Sequence, residues 1–364
     1  MQHVSQDGGG PGTGTRALFL AACFVVIVAG LREAQSILPV LLLSMFLAML
    51  AVTPMRLMQE RGVPSGLAVL IVFLGLISLF ALLGLLVADS GRDFMAAWPI
   101  YQEILEQRLL SLSEPLREML VTQGLVQDDF SFMALFDPAS VMGSAVGLVG
   151  RLVSSLLLLF SNTFMALLTT IFILLEAAGF PKKAQVAMRQ MGMRPESMDR
   201  FSNISRQVRD YLAIKTVISL VTGLLLGFWC WAWGVSFPVL WGVLGFLLNY
   251  IPTIGSIVAA LPPLGLALIN GSVGTAFGVI TGYVAVNMLL GNVLEPRVLG
   301  HRLGLSSLVV LLSLVFWGWV WGPLGMLLSV PLTMIVKILL ENSGDLRWLG
   351  TLLSSAEALP ERET

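Results

Sequence analysis

The side chains best equipped for chemistry lie in the last two-fifths of the chain, as polar groups set into apolar surroundings. Asn249, Tyr250, Thr253 and Ser256 are interleaved with Pro252 and Gly255, and Pro262 and Pro263 follow, all inside an apolar run from Phe237 to Ile269. Proline removes a backbone donor and glycine loosens a helix, so backbone polar groups are freed in this stretch. In hydrocarbon, freed groups persist only where protein or a water-lined cavity satisfies them. A broken apolar hairpin at membrane depth is one way to build a solute site. There the four polar side chains would offer donors and acceptors to a hydroxylated solute. A proline kink between packed helices, with the same side chains satisfying the freed backbone, accounts for these residues equally well.

Three further groups belong to the same region. Asn287 and Asn292 lie five residues apart near the end of an apolar span. They either line the same path or hydrogen-bond between packed helices. Glu295 is the sole carboxylate between Asp210 and Glu341, and an ionisable group near membrane depth is a functional hypothesis by default. It is a candidate for coupling to a proton or cation, with Arg297 as its partner. The alternative is that Glu295 and Arg297 decorate a surface loop. Asp210 and Lys215 mark the end of a span, where snorkelling or an ion pair is the ordinary reading.

Other chemistries find no support. The glycine-rich breaks lack the Gly-Lys-Ser/Thr pattern of a nucleotide loop. No His-Glu pair, aspartate pair or Ser/His arrangement stands ready to activate a nucleophile in the broken segments, so no catalytic residues are assigned. Cys23 and Cys230 both fall inside apolar runs, and the only histidines are His3 and His301. That supply suits neither a metal centre nor a disulfide framework, and no cofactor or metal is expected. A net charge of -1 argues against a general role in binding nucleic acid.

The elements that must position these groups are membrane helices. The chain is 56% hydrophobic and 12% charged, against about 25% charged in soluble domains. The reading is an all-α polytopic integral membrane protein, partnered by the lipid bilayer. It has about eight transmembrane segments, two Gly/Pro-broken hairpin-like runs and two amphipathic extramembrane helical regions. Residues 1–16 form a polar, Gly-rich, disordered tail. Transmembrane segments 1–3 occupy 17–88, at 17–30, 37–52 and 67–87, with a turn marked by Pro54, Arg56 and Arg61. The apolar stretch 17–29 could pass for a signal-peptide core. Because several spans follow and few basic residues precede it, a first span is expected instead.

An acidic region covers 89–145. Phe94, Trp98, Tyr101, Leu105, Leu109 and Leu112 recur there at helical spacing, and Ser113-Glu114-Pro115 reads as a fresh helix start. This region is expected to lie on or beside the membrane surface. Segment 4 covers 146–175. A basic amphipathic region follows at 176–212, with Met198, Phe201, Ile204, Val208 and Tyr211 on one face. Residues 213–342 form the core, with broken hairpins at 237–270 and 305–340, and 343–364 is a polar tail.

Lysine and arginine in short loops stay on the cytoplasmic side. Arg56 and Arg61 are two spans away from the basic region after Glu176, so both fall on that face. The acidic region then lies outside and the N-terminal tail inside. The loop 292–304, carrying Arg297, His301 and Arg302, belongs inside if each hairpin returns to its own side.

The second broken run echoes the first. It splits at Trp317-Gly318-Trp319-Val320-Trp321-Gly322-Pro323 and continues through Pro331. Paired interrupted segments are the best sequence pointer to a transporter's site. Halves of about 14 to 18 residues reach roughly 21 to 27 Å, short of a hydrocarbon core of about 30 Å, which favours re-entrant hairpins. Trp317, Trp319 and Trp321 suit a membrane–water interface, which favours full spans.

Ordered motifs across the C-terminal two-fifths carry a resemblance. They begin with Arg209-Asp210-Tyr211-Leu212 and Lys215, then Gly234-Val235-Ser236-Phe237-Pro238. Leu248-Asn249-Tyr250-Ile251-Pro252-Thr253-Ile254-Gly255-Ser256 and Pro262-Pro263 follow. Gly291-Asn292-Val293-Leu294-Glu295-Pro296, Gly300 and Gly304-Leu305-Ser306 come next. Last are Trp317-Gly318-Trp319, Gly322-Pro323-Leu324-Gly325-Met326 and Val330-Pro331-Leu332. In these the chain resembles the AI-2 exporter (AI-2E) family of bacterial transporters, also described as PerM-like permeases. Ser307 departs from the proline common there, at a helix start that tolerates either.

The resemblance implies a multi-pass permease of the bacterial inner membrane with eight spans, both termini cytoplasmic, and a homo-oligomer, a pentamer among the options. It implies export of small polar solutes, with the quorum-sensing signal autoinducer-2 as the name-giving substrate. Some relatives are described as sodium (or lithium)/proton antiporters, which would add protons or sodium as partners. A scaffold or sensor whose amphipathic helices bind partners remains the competing reading, and an intramembrane enzyme is the weakest.

Overall fold

The computed structural model describes residues 13–122, 163–176, 195–252, 254–299, 305–343 and 346–355, with isolated positions between 147 and 190. Apart from one antiparallel bridge between Leu305 and Ser354, the secondary structure of these residues is helical. The helices are α1 (Thr13–Glu33), α2 (Leu38–Glu60), α3 (Ser65–Thr122), α4 (Thr163–Glu176), α5 (Pro195–Ala232), α6 (Pro238–Leu248), α7 (Ile254–Asn270) and α8 (Val273–Val286). A π-helix (Asn287–Leu294), α9 (Glu295–Leu299), α10 (Ser307–Asn342) and α11 (Arg347–Leu353) complete the order. Five helical stretches among the described residues are long and apolar enough to cross a membrane. Leu82, Leu224, Phe277 and Leu312 stand exposed on their outer faces, a surface that hydrocarbon solvates and water does not. The protein is an all-helical, multi-pass membrane protein.

Several expected boundaries are absent. α2 runs through Pro54, and the chain turns instead at Arg61-Gly62, where Gly62 takes φ 90°. α3 extends for 58 residues, about 87 Å, through residue 88 and through the expected start at Ser113-Glu114-Pro115. Its far half is therefore continuous with the third span and does not begin as a separate helix. Phe94 and Tyr101, from the apolar face read in the sequence, are buried against Phe237 and Trp241. Arg108 donates to the Leu268 carbonyl at 3.0 Å, satisfying one of the orphan acceptors at the end of α7. The basic region likewise has no break at 212, because α5 carries it directly into the fifth span. Of segment 4, the residues from Thr163 to Glu176 are described and helical. Most of 123–162 and 177–194 lies outside the described residues.

The first broken run is two short helices, α6 of 11 residues and α7 of 17. These lengths correspond to roughly 16 and 25 Å, and neither reaches across a core of about 30 Å. The break follows Leu248 and the chain is helical again from Ile254, while Pro262 and Pro263 stay inside α7. Gly255 makes the fold-back possible: any Cβ there would collide with the Leu248 carbonyl. α6 is pinned to α5 by direct backbone contact, since a Cβ on Gly223 would come within 2.6 Å of the Gly242 oxygen. Small residues that let helix backbones touch are a common membrane packing device.

The second run is one helix by its hydrogen bonds but not by its path. Trp321 (φ -131°, ψ 15°) and Gly322 (φ 64°, ψ -145°) leave the helical region, and the positive φ is one that glycine adopts without a Cβ penalty. Trp317 Nε1 donates to Thr333 Oγ1 at 3.1 Å, although 16 residues of straight helix would separate them by about 24 Å. The two limbs thus fold back on each other. Gly325 repeats the role of Gly255, with its Cβ position blocked by the Trp317 carbonyl.

The two hairpins point in opposite directions. α2 and α3 are antiparallel, Met55 and Ala51 clustering with Ala68 and Leu43 with Phe73. The open ends of the first hairpin, at Phe237 and Leu268, rest on the far half of α3. The bend of the second sits at the turn between α1 and α2. There Trp321 Nε1 donates to the Leu31 carbonyl at 2.9 Å, Arg32 lies 4.8 Å above the Trp319 ring, and Leu324 packs with Val40 and Leu43. From that bend its limbs run back alongside Phe46, Met49 and Leu50 of α2, towards the start of α3.

Candidate functional site

On α5, Tyr211, Lys215, Ser219 and Thr222 are spaced four, four and three residues apart. That spacing puts them on one face of the helix. All four are buried, in a span whose other face is apolar. Such a row needs partners, because an unpaired polar group away from water is costly. Thr222 donates to the Ile218 carbonyl of its own helix, and the break in the first hairpin supplies partners for Ser219 and the neighbouring Thr216. Asn249 Nδ2 donates to Ser219 Oγ at 2.9 Å. The Tyr250 hydroxyl donates to Thr216 Oγ1 at 2.7 Å, and Thr216 passes its own proton to the Leu212 carbonyl at 2.7 Å. Among the described residues no buried side-chain polar atom is left without a hydrogen bond.

One turn below Ser219, Lys215 Nζ sits 2.7 Å and 2.8 Å from the two carboxylate oxygens of Glu295. The side chains are 4% and 18% exposed. Removing either partner from a pair this enclosed leaves a charge that the surroundings cannot solvate. Glu295 is delivered by local backbone geometry. The π-helix Asn287–Leu294 precedes it and α9 begins on it. A π turn fits an extra residue into the helix and rotates everything after it, and such turns concentrate at functional sites.

The sequence candidates divide accordingly. Asn249, Tyr250 and Glu295 converge on α5. Pro252 and Ser256 are half-buried beside the break, and Gly255 is buried at the fold-back. Thr253 lies outside the described residues, as do His301 and Arg302. Asn287 is half-buried and Asn292 exposed, and neither side-chain amide forms a hydrogen bond among the described residues. The expected short polar loop after residue 290 is helical as far as Leu299. Arg297 is not the partner of Glu295: its side chain is exposed, and the bidentate contact comes from Lys215. Tyr211, Thr216 and Ser219 were not singled out as site residues, although hydroxyls and a lysine repeating every fourth residue in an apolar span are a usable signal.

The arrangement can bind and release polar groups; it lacks any activated nucleophile. Among the described residues no three His, Cys, Asp or Glu side chains gather to hold a metal.

Comparison with known proteins identifies the family. The family model for AI-2E family transporters matches residues 20–344. A protein of Haemophilus influenzae, named only for transport, is 37% identical over 343 residues, covering 94% of this chain and 97% of its own length. The AI-2 transport protein TqsA of Escherichia coli K12 is 37% identical over 342 residues, covering 94% and 96%. A transport-named protein of Borreliella burgdorferi is 29% identical over 344 residues, covering 93% and 91%. The chain, a multi-pass membrane protein with bacterial relatives, therefore belongs to the AI-2E family of transporters and is not an enzyme.

Proposed function

We propose that the protein moves a small polar solute through the junction between α5 and the tip of the first hairpin. The observation that carries this reading is the convergence of Asn249, Tyr250, Thr216 and Ser219 beside the enclosed Lys215–Glu295 pair. Polar groups gathered at a helix break in apolar surroundings are what a hydroxylated solute needs in order to exchange water for protein. The name of the relative TqsA makes autoinducer-2-like export the first solute class to test. The charge distribution supports insertion in the bacterial inner membrane with both termini cytoplasmic, and the family resemblance supports a homo-oligomer.

A second reading, proton exchange for sodium or lithium, is favoured by Glu295, whose carboxylate is positioned to hold a cation if Lys215 withdraws. Flux into reconstituted vesicles tests both. Asn249→Leu and Pro252→Ala are expected to lower solute flux sharply. No flux from the wild type over a panel of small polar solutes and cations would leave a scaffold role ahead. Glu295→Gln is expected to abolish the dependence of flux on pH or sodium, and retained dependence removes Glu295 from coupling.

A further inference from the structure

A cavity of about 460 Å³ runs between α3, α5 and α6, meeting the polar junction only at Thr216. Leu79 and Leu83 of α3 form one wall, and Leu220 and Leu224 of α5 form another. Gly223 and Gly227 lie between α5 and α6 at its floor. Among the described residues, the Thr216 hydroxyl and the Trp231 indole are the only polar side-chain groups lining it, one at each end. The distance from Thr216 to Trp231 along α5 is about 22 Å. This space is a poor host for a polar solute, which would find almost nothing to replace its water, and a good one for a hydrocarbon chain. The outer rim is open: Leu79, Leu220 and Leu224 are all exposed in the monomer.

The same helix face continues past the cavity to a charge. Arg209 precedes Thr216 by seven residues, which is about two turns, and so lies in line with Thr216 and Gly223. Its side chain is half-buried, and among the described residues it makes neither an ion pair nor a hydrogen bond. Arg206 lies one turn further back. An apolar channel ending below a cationic fork matches an amphiphile with an anionic head, because guanidinium pairs well with phosphate oxygens.

We propose that this groove is a lipid site. It takes one acyl chain of an anionic phospholipid from the leaflet on the Arg209 side, with the phosphate held at Arg209. The groove is distinct from the proposed solute path except at Thr216, which lines its end and accepts the Tyr250 hydrogen bond. Occupancy of the groove is thereby linked to the tip of the first hairpin.

The test is lipid retention by the full chain, purified from vesicles containing equal phosphatidylglycerol and phosphatidylcholine and weighed intact with its bound lipid. The wild type is expected to keep one phospholipid per chain, favouring phosphatidylglycerol by about fivefold, since one arginine near a membrane surface contributes about 1 kcal/mol. Leu224→Trp and Leu79→Trp fill the groove from exposed positions and are expected to lose the lipid while keeping the wild-type melting curve. Arg209→Gln is expected to keep a lipid and lose the preference. A wild type that retains no lipid, or retains both lipids equally, overturns the proposal. So does efficient disulfide dimerisation through Leu224→Cys, which would put a second copy of the chain against the groove.

Discussion

Lys215 and Glu295 are 80 residues apart in sequence and hold each other through both carboxylate oxygens, at 2.7 Å and 2.8 Å. The contact ties the middle of α5 to the first residue after the π-helix. Glu295→Gln leaves the lysine enclosed without a counter-charge, and the expected loss of stability is about 3 kcal/mol, the low end for a broken buried pair. Glu295 keeps some access to solvent, which places it at that end. Melting in a defined detergent checks this, and Lys215→Met with Glu295→Leu together is expected to be milder than either change alone. A Glu295→Gln melt indistinguishable from wild type would mean the pair is not enclosed as described.

Tyr250→Phe removes one hydroxyl from the Tyr250–Thr216–Leu212 chain. The expected cost to stability is about 1 kcal/mol. Flux should fall by more than that cost explains if the hydroxyl meets the solute. Thr216→Val breaks the same link, so the double variant is expected to lose less than the sum. Strict additivity would show that the two hydroxyls do not interact.

The two hairpins fold around matched glycines. Gly255→Ala and Gly325→Ala each drive a methyl into a carbonyl, of Leu248 and of Trp317, and overpacking of this kind costs about 1 to 3 kcal/mol. Gly265, inside α7, has open space at its Cβ position. Gly265→Ala should therefore stabilise α7 by about 0.5 to 1 kcal/mol. The same melting series separates the three, and equal effects at all of them would refute the fold-back geometry.

Opposed hairpins make a prediction about access. In a chain with Cys23 and Cys230 replaced by serine, Asn270→Cys sits at the open end of the first hairpin. Thr351→Cys sits beyond the open end of the second, where Leu305 bridges Ser354. A membrane-impermeant thiol reagent is expected to label the two from opposite sides of sealed, oriented vesicles. Labelling from the same side would show that the hairpins point the same way.

Much of the architecture was legible because hydrocarbon imposes it. Long apolar runs have no alternative to helix where backbone groups must pair internally, and Pro252, Gly255, Gly322 and Pro323 mark the places where that pairing fails. Helix ends outside the apolar runs were harder to place. Pro54 is read locally as part of a turn and Pro115 as part of a fresh helix start, yet α2 and α3 pass through them. In α3, burial of Phe94 and Tyr101 against the first hairpin stabilises the continuous helix. Pro262 and Pro263 stay helical inside α7 for a related reason, since both are buried by packing that holds the segment in place.

The sequence by itself determined the membrane class, the family and the two broken runs, and it picked out Asn249, Tyr250 and Glu295 as candidates. Each of these depends on residue type and order along a single stretch. Only the tertiary structure decided which groups meet. Arg297, two residues from Glu295, was the near choice in sequence, but a helix turns it outward. Lys215 became the partner because α8, the π-helix and α9 pack along α5, and the π-helix turns Glu295 towards it. The pairing depends on how those helices cross, and no local pattern encodes that crossing.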